Sequence, residues 1–171
     1  MQIPSEIALL QNLRELYCGF NSLLLPPIEI SFLTALEILD LRWNLLQEFP
    51  VELCKLRHLR ELHLQENNLT QLPVDIGELC ALELLDVSHN QLEALPVSMQ
   101  GCTALQKLNV AWNLLSSLPE QLGALPLREV NVGNNQLQQL PSSLYECSTL
   151  VSVTVGELID NPLHCNRIMD A

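Results

Sequence analysis

The sequence has few positive charges, few aromatic rings and no long apolar segment. Only 8 of its 171 residues are Lys or Arg, against 20 Asp and Glu, so the formal net charge is -12. A chain of that charge repels phosphate groups, which argues against nucleic acid and anionic membrane as partners. No apolar run reaches the roughly 18 residues of a membrane-spanning helix. The first residues, MQIPSEIALLQNL, lack the basic start of a secretory signal.

Motifs of common catalytic and metal sites are also missing. The sequence contains no glycine-rich phosphate loop, no His-Glu-x-x-His and no Gly-x-Ser-x-Gly. Ser88 stands beside His89 but not in the strained elbow that a nucleophilic serine uses. The histidines and cysteines follow no metal-ligand spacing. We therefore expect no enzyme activity, no cofactor and no metal.

One pattern instead repeats along almost the whole chain. Residues 82–96, LELLDVSHNQLEALP, contain it in full. Its first leucine recurs at Leu13, Leu36, Leu59, Leu82, Leu105, Leu127 and Leu150, in steps of 23 residues with one step of 22. Its asparagine recurs at Asn21, Asn44, Asn67, Asn90, Asn113 and Asn135, and its proline at Pro27, Pro50, Pro73, Pro96, Pro119 and Pro141. Three residue types in register define a tandem repeat.

This Leu-x-x-Leu-x-Leu-x-x-Asn-x-Leu-x-x-Leu-Pro pattern resembles the leucine-rich repeat family, whose period is roughly 20–29 residues. The 23-residue unit ending in Leu-Pro is similar to the intracellular Ras-group class. The resemblance implies an α/β solenoid, a right-handed horseshoe with a parallel concave sheet and short helical or irregular convex segments. We expect one domain, 1–171, with a partial repeat at 1–12, repeats from residues 13, 36, 59, 82, 105 and 127, and a degenerate terminal repeat and cap at 150–171.

Local patterns agree with such coils. The alternation in Leu62-His63-Leu64 predicts a short strand with one buried face. We expect each repeated asparagine to bond the loop backbone of its own coil and of the next, and the segment after each proline to form one or two helical turns. In the last unit Leu158 holds the asparagine position, and Asn161 comes three residues late, which indicates an insertion before a cap. The first coil is expected to expose an apolar end.

The six cysteines give evidence about the cellular compartment of the protein. Cys18 replaces a repeat leucine, and Cys102 and Cys147 replace another, so we expect reduced, buried thiols and a cytoplasmic protein. Two features favour secretion instead. Asn68-Leu69-Thr70 matches a glycosylation acceptor, and the stretch from Asn161 to Cys165 is similar to the opening of the cysteine-rich cap of secreted repeat proteins.

Two columns of residues are predicted to face solvent on the concave side. The column between the second and third leucines contains Tyr17, Asp40, His63, Asp86, Asn109, Asn131 and Thr154. The column just before the asparagine contains Phe20, Trp43, Glu66, His89, Trp112, Asn134 and Glu157. Four aromatic residues fall in these columns, and such residues are enriched at protein interfaces.

The tetrapeptide Trp-Asn-Leu-Leu occurs at Trp43 and again at Trp112, each time with an additional leucine, Leu45 or Leu114. Three strand spacings put the indoles about 15 Å apart. We interpret them as apolar anchors for a protein. The alternative is that repeat duplication copied the motif and the indoles lie flat over neighbouring coils.

Charged residues accumulate between these anchors. Asp40, His63 and Asp86 share one column, and we expect an acidic centre that suits a basic or mixed-charge partner. The alternative is a hydrated polar stripe with the histidine paired to an aspartate. The candidate partner-binding residues are Tyr17, Phe20, Asp40, Arg42, Trp43, Leu45, His63, Glu66, Asp86, His89, Trp112 and Leu114.

These features predict a protein-protein interaction module or signalling scaffold that binds a protein on its concave face. The family resemblance implies a small GTPase or a phosphatase subunit as partner. Two alternatives are a recognition domain of a larger protein, such as a kinase, an immune sensor or a ubiquitin ligase, and a secreted recognition module.

Overall fold

Each repeat forms one coil of a solenoid and adds one short strand to a single open sheet. The computed structural model describes residues 3–156 and 161–162. The strands are β1 (Glu15–Tyr17), β2 (Ile38–Asp40), β3 (Glu61–His63), β4 (Leu84–Asp86), β5 (Lys107–Asn109), β6 (Glu129–Asn131) and β7 (Ser152–Thr154). All neighbours pair in parallel, in sequence order. The predicted solenoid with a parallel sheet is confirmed. We call the unit that holds each strand coil 1 to coil 7.

The strand register stacks equivalent residues. Leu39 pairs with Leu16 on one side and with Leu62 on the other, so each leucine column runs straight through the coils. In coils 2 to 6 the residues of these columns are fully or almost fully buried, whereas in coil 7 Leu150 is only partly buried and Val153 is exposed. Within coil 1, Leu13 and Leu16 are only partly buried and Leu9 and Leu10 are exposed, as expected for an apolar end.

Short 3-10 helices form the convex side, as predicted. They span Ser5–Leu9, Ile28–Phe32, Val51–Lys55, Val74–Glu78, Val97–Gly101 and Glu120–Ala124, and one α-helix spans Ser142–Tyr145. Each follows the repeat proline, whose ring fixes φ and whose missing N–H is not needed at a helix start. Within the described residues, no helix has the length and apolar character to cross a bilayer.

The 22-residue unit shortens its convex segment. In the 23-residue coils the residue after the 3-10 helix turns sharply, as at Leu56 with ψ 74°. At Leu125 the same position is extended, with ψ 152°. The chain therefore reaches the next strand with one residue fewer, and the sheet register is kept.

The repeated asparagines connect successive coils through buried hydrogen bonds. Asn90 accepts the Leu69 backbone N–H at Oδ1 (2.9 Å), and its Nδ2 donates to the carbonyls of Leu64 (3.0 Å), Val87 (3.1 Å) and Ser88 (3.1 Å). The expected bonds within the asparagine's own coil are present. The second coil involved is the preceding one, not the next, because Leu64 and Leu69 belong to coil 3 and Asn90 to coil 4.

Asn161 takes the same role three residues late. Its Oδ1 accepts the Leu137 N–H (3.1 Å) and its Nδ2 donates to the Val132 carbonyl (2.8 Å), as Asn135 does for coil 5. The predicted insertion is therefore confirmed. Glu157, Leu158, Cys165 and the predicted cap lie outside the described residues.

Five described cysteines are unpaired. Cys102 is buried in a leucine column, while Cys18 and Cys147 are half-buried in theirs, and Cys80 is exposed. Burial raises the pKa of the Cys54 and Cys102 thiols to about 12. These two side chains therefore act as small apolar core groups.

Replacing one ladder asparagine tests the connection between coils. Asn90→Ala leaves the Leu69 N–H without a partner in a dry interior and removes one of the two side-chain hydrogen bonds to the Leu64 carbonyl, the other coming from Asn67. We therefore expect a loss of about 1–3 kcal/mol of unfolding free energy. Urea denaturation followed by circular dichroism measures it. The exposed Glu93 provides the control, and Glu93→Ala should change stability by less than about 0.5 kcal/mol. Equal stability of the two variants would contradict the role given to the ladder.

Thiol labelling tests the burial of the cysteines. Maleimide at neutral pH should modify exposed Cys80 rapidly. Cys54 and Cys102 should stay unmodified until denaturant is added, because both are buried and a pKa near 12 leaves almost no thiolate. Mass spectrometry of tryptic peptides identifies the modified sites. Comparable labelling of Cys102 and Cys80 in the native protein would contradict this packing.

Candidate protein-binding surface

The last residue of each strand forms the first predicted column, and the register brings Asp40, His63 and Asp86 side by side. Tyr17 is exposed, and His63 and Asp86 are half-buried. Asp40 differs from expectation, since only 3% of it is exposed. Its placement on the solvent-facing surface was wrong.

Asp40 is buried because it closes the turn after its own strand. Its Oδ1 accepts the Arg42 backbone N–H (3.0 Å), and its Oδ2 lies 3.0 Å from the Arg42 Nε. Asp86 does the same for Ser88, accepting its N–H (2.9 Å) and its hydroxyl (2.7 Å). Short polar side chains often bond the backbone two residues on. Much of the predicted acidic centre therefore consists of carboxylates that stabilise the turns after the strands.

Asn109 and Asn131 extend this turn pattern. The Asn109 Oδ1 accepts the Ala111 N–H (3.3 Å), and the Asn131 Oδ1 accepts the Gly133 N–H (3.1 Å). The Asn109 Nδ2 also donates to the Asp86 Oδ2 (3.1 Å). Sequence reasoning missed this role, although an Asp or Asn at the same position of four coils was the available signal.

His63 pairs within its own strand. Its Nε2 lies 3.3 Å from a Glu61 carboxylate oxygen, so its partner is a glutamate and not the aspartate of the polar-stripe alternative. In the described part of the chain, no group of three or more His, Cys, Asp or Glu side chains is arranged to hold a metal ion.

The second predicted column forms one edge of the concave surface, which we call the aromatic rim: Phe20, Trp43, Glu66, His89, Trp112 and Asn134. All six residues have φ between 52° and 58°, in the left-handed region. Asn and Gly tolerate this conformation best, and a bulky L-residue is strained there by about 1–2 kcal/mol. The sequence contains no glycine in this column, and the strain was not predicted.

Backbone bonds fix the spacing of the rim. In coils 1 to 5 the N–H of the repeat asparagine donates to the carbonyl of the rim residue one coil later, as Asn44 does to Glu66 (3.2 Å) and Asn67 to His89 (3.2 Å). Rim residues of successive coils are therefore direct neighbours.

Aromatic rings of the rim form two stacks. The centroids of Phe20 and Trp43 are 5.8 Å apart with planes 9° from parallel, and those of His89 and Trp112 are 5.2 Å apart with planes 11° from parallel. Trp43 is nevertheless 50% exposed and Trp112 54% exposed. The indoles thus combine both predicted interpretations, since each lies against a neighbouring coil and also presents a large area to solvent.

Leu45 and Leu114 follow the two tryptophans and are also exposed, 45% and 44%. The next leucine of each coil, Leu46 or Leu115, is fully buried in the core. The additional leucines therefore do not stabilise the fold by burial. They extend the apolar surface beside each stack.

Glu66 separates the two stacks. The His89 Nδ1 lies 3.5 Å from the Glu66 Oε1. On the other side of the rim, the Arg42 Cζ lies 5.7 Å from the Phe20 ring centroid, within range of a cation–π contact. The rim thus has apolar rings at both ends of this region and a carboxylate between them.

Most basic side chains of the sheet are already paired across strands. Arg14 pairs with Glu37, Arg60 with Glu83 (2.8 Å) and Lys107 with Glu129 (2.9 Å). Exposed pairs like these contribute little to stability. They do neutralise the sheet's own cations, so the remaining charge of the surface is negative.

The sheet also forms an open concave groove of about 410 Å³ over its later strands. Asp86, Lys107, Asn109, Glu129, Asn131 and Thr154 contribute its polar lining. Amide and hydroxyl groups in this arrangement can bond the backbone of a docked chain.

Comparisons with known proteins agree on the repeat. A family model of leucine-rich repeat regions matches residues 50–126. No curated protein sequence matches the chain significantly. A solved leucine-rich repeat protein of Leptospira interrogans is 31% identical with a TM-score of 0.69, and the alignment covers 95% of this chain and 47% of that one.

Two further solved structures have the same fold. The repeat ectodomain of the Arabidopsis thaliana membrane receptor kinase GASSHO1/SCHENGEN3, in complex with CASPARIAN STRIP INTEGRITY FACTOR 2, is 28% identical with a TM-score of 0.81, over 95% of this chain and 20% of that one. An internalin, InlF, of Listeria monocytogenes is 21% identical with a TM-score of 0.80, over 94% and 46%. This chain spans less than half of each protein.

The Ras-group class stays a prediction, since none of these matches distinguishes it. The leucine columns, the stacked coils and the matches agree on the wider family. The chain is a leucine-rich repeat protein with the horseshoe fold.

Proposed function

We propose that this chain is a non-catalytic module that binds a partner protein along the aromatic rim and the adjoining concave sheet. The observation that carries the proposal is the pair of half-exposed ring stacks at backbone positions where aromatic residues are strained. Neither fold stability nor backbone preference explains large rings there. Binding does, because aromatic anchors dominate the energy of protein interfaces.

The rim is suited to binding because it is already ordered. Each ring rests on a neighbour, and from Trp43 to Asn134 the carbonyl of each rim residue is bonded to the preceding coil. A partner therefore loses little of its binding free energy to ordering this surface. Tyr17, Leu45, His63, Asp86 and Leu114 complete the proposed surface, and the buried Asp40 supports it from below through Arg42.

A relative supports a protein or peptide as the ligand. The plant receptor ectodomain of the same fold was solved with CASPARIAN STRIP INTEGRITY FACTOR 2 bound. Applied to this chain, that precedent favours a protein segment as the ligand. The groove lined by Asn109 and Asn131 supplies hydrogen-bond partners for such a segment.

The partner class and compartment are further parts of the proposal. Signalling scaffolding with a small GTPase or phosphatase subunit rests on the Ras-group resemblance, and a cytoplasmic location is supported by the unpaired described cysteines. The alternative of a recognition domain within a larger protein uses the same surface. A glycan on Asn68 of the native protein would favour the secreted alternative.

Removing both indoles tests the proposed surface. Trp43→Ala with Trp112→Ala keeps a Cβ at each left-handed position, so the backbone strain is unchanged, while both anchors are lost. We expect capture of partner proteins from the native cell extract, quantified by mass spectrometry, to fall at least tenfold, since an anchor contributes 2 kcal/mol or more. The melting temperature should fall only slightly, because both indoles are half-exposed.

The control removes apolar area from the convex side. Val74 and Val97 are exposed there, 71% and 53%, and Val74→Ala with Val97→Ala should leave capture unchanged. Equal capture by wild type and the double tryptophan variant would move the interface away from the rim.

A further inference from the structure

The aromatic rim is interrupted at coil 3 by Glu66. Phe20 of coil 1 covers one face of Trp43, so the other face of that indole is directed toward coil 3. Trp112 of coil 5 covers one face of His89, so the other face of the imidazole is also directed toward coil 3. Glu66 is the rim residue of coil 3, between these two rings in the row, and its carbonyl accepts the Asn44 N–H.

The gap between Trp43 and His89 is wide enough for one planar group. Neighbouring strands are about 4.8 Å apart, which puts Trp43 and His89 about 10 Å from each other across coil 3. A planar group that stacks on both rings needs about 7–8 Å, or two contacts of 3.5–4.0 Å. One inserted plane therefore fits with about 2–3 Å to spare, which the side chains close by moving together, whereas two planes need three contacts, or at least about 10.5 Å.

The charge at the gap selects a cation. Glu66 is the residue of coil 3 at the gap, and the half-buried Glu61 and Asp86 lie on β3 and β4, the strands of coils 3 and 4. Arg42 directly precedes Trp43, but its guanidinium is held against Asp40 and over Phe20, on the coil 1 side of Trp43. His89 contacts Glu66 from the coil 4 side.

We propose that the partner inserts an arginine side chain between Trp43 and His89, with its guanidinium bonded to Glu66. This inference rests on the proposed function and adds the chemistry of the anchor. Arginine matches better than lysine, because its guanidinium is planar, stacks on aromatic faces and bonds a carboxylate through two N–H groups at once. The chain's formal net charge of -12 further favours a basic segment.

A small probe tests binding in the gap between Trp43 and His89, which we call the arginine slot, without the partner. The chain has two tryptophans, so an ¹H–¹⁵N spectrum contains two indole signals, which Trp112→Phe assigns. Titration with Nα-acetyl-arginine amide should shift the Trp43 signal saturably. Nα-acetyl-citrulline amide has almost the same shape without the charge, and it should bind at least ~5-fold more weakly, because charge-assisted hydrogen bonds are the stronger ones.

Two variants separate binding in the arginine slot from a general effect of the protein's net charge. Glu66→Gln should weaken arginine amide binding at least ~5-fold, for the same reason. Glu93→Gln, an equal change of net charge on an exposed loop position, should leave the affinity within about twofold. Equal binding of the arginine and citrulline probes, or undiminished binding by Glu66→Gln, would overturn the proposal.

A third variant excludes unfolding as the cause of lost binding. Glu66→Asn removes the charge from the slot and puts the better-suited residue at φ 58°. We expect it to lose arginine binding while its melting temperature stays equal to or above that of the wild type. If partner capture depends on the two tryptophans but not on Glu66, the proposed function stands and the arginine slot is wrong. If the arginine probe binds as expected but loss of both tryptophans leaves partner capture unchanged, the arginine slot stands and the proposed function is wrong.

Discussion

Everything in this structure depends on how each coil satisfies the backbone of the coil before it. A loop that leaves a strand inside a stack cannot reach water, so its N–H and carbonyl groups need partners. The asparagine of the following coil provides both, as Asn90 does for Leu69 and Leu64. Asn161 preserves this arrangement across a three-residue insertion, which shows that the bonding position matters more than the count of residues.

The ladder also determines the functional surface. Because the chain must turn out of the strand just before the asparagine, the preceding residue adopts positive φ in six coils. In coils 2 to 6 the carbonyl of that residue is bonded to the preceding coil. The same geometry that makes the position unfavourable for large side chains holds whatever occupies it in a regular row. Trp43 and Glu66 are thus placed by a structural requirement and available for recognition.

The leucine columns, strands and convex turns could be predicted from the sequence because a period of 23 residues acts on every coil at once. Contacts that are specific to single coils could not be predicted from the sequence. Asp40 belonged to a column expected to face solvent, yet it is buried because a short carboxylate bonds the turn two residues on. The polar-stripe alternative paired His63 with an aspartate, but its partner is Glu61, two residues back on the same face of the strand. Periodicity defines the column, whereas side-chain length and local bonding determine exposure.

The ring stacks show why the rim is a better candidate for binding than the polar column beside it. The polar column is explained without a ligand. A side-chain oxygen of each of Asp86, Asn109 and Asn131 accepts a hydrogen bond within its own turn. No comparable internal bond explains the indole of Trp43, whose ring gains one stacking contact and remains half-exposed in a strained backbone. A stacking contact contributes about 0.5–1.5 kcal/mol, no more than the strain it offsets. Stability alone would therefore favour asparagine there, as at Asn134, and the retained rings point to an additional interaction outside the chain.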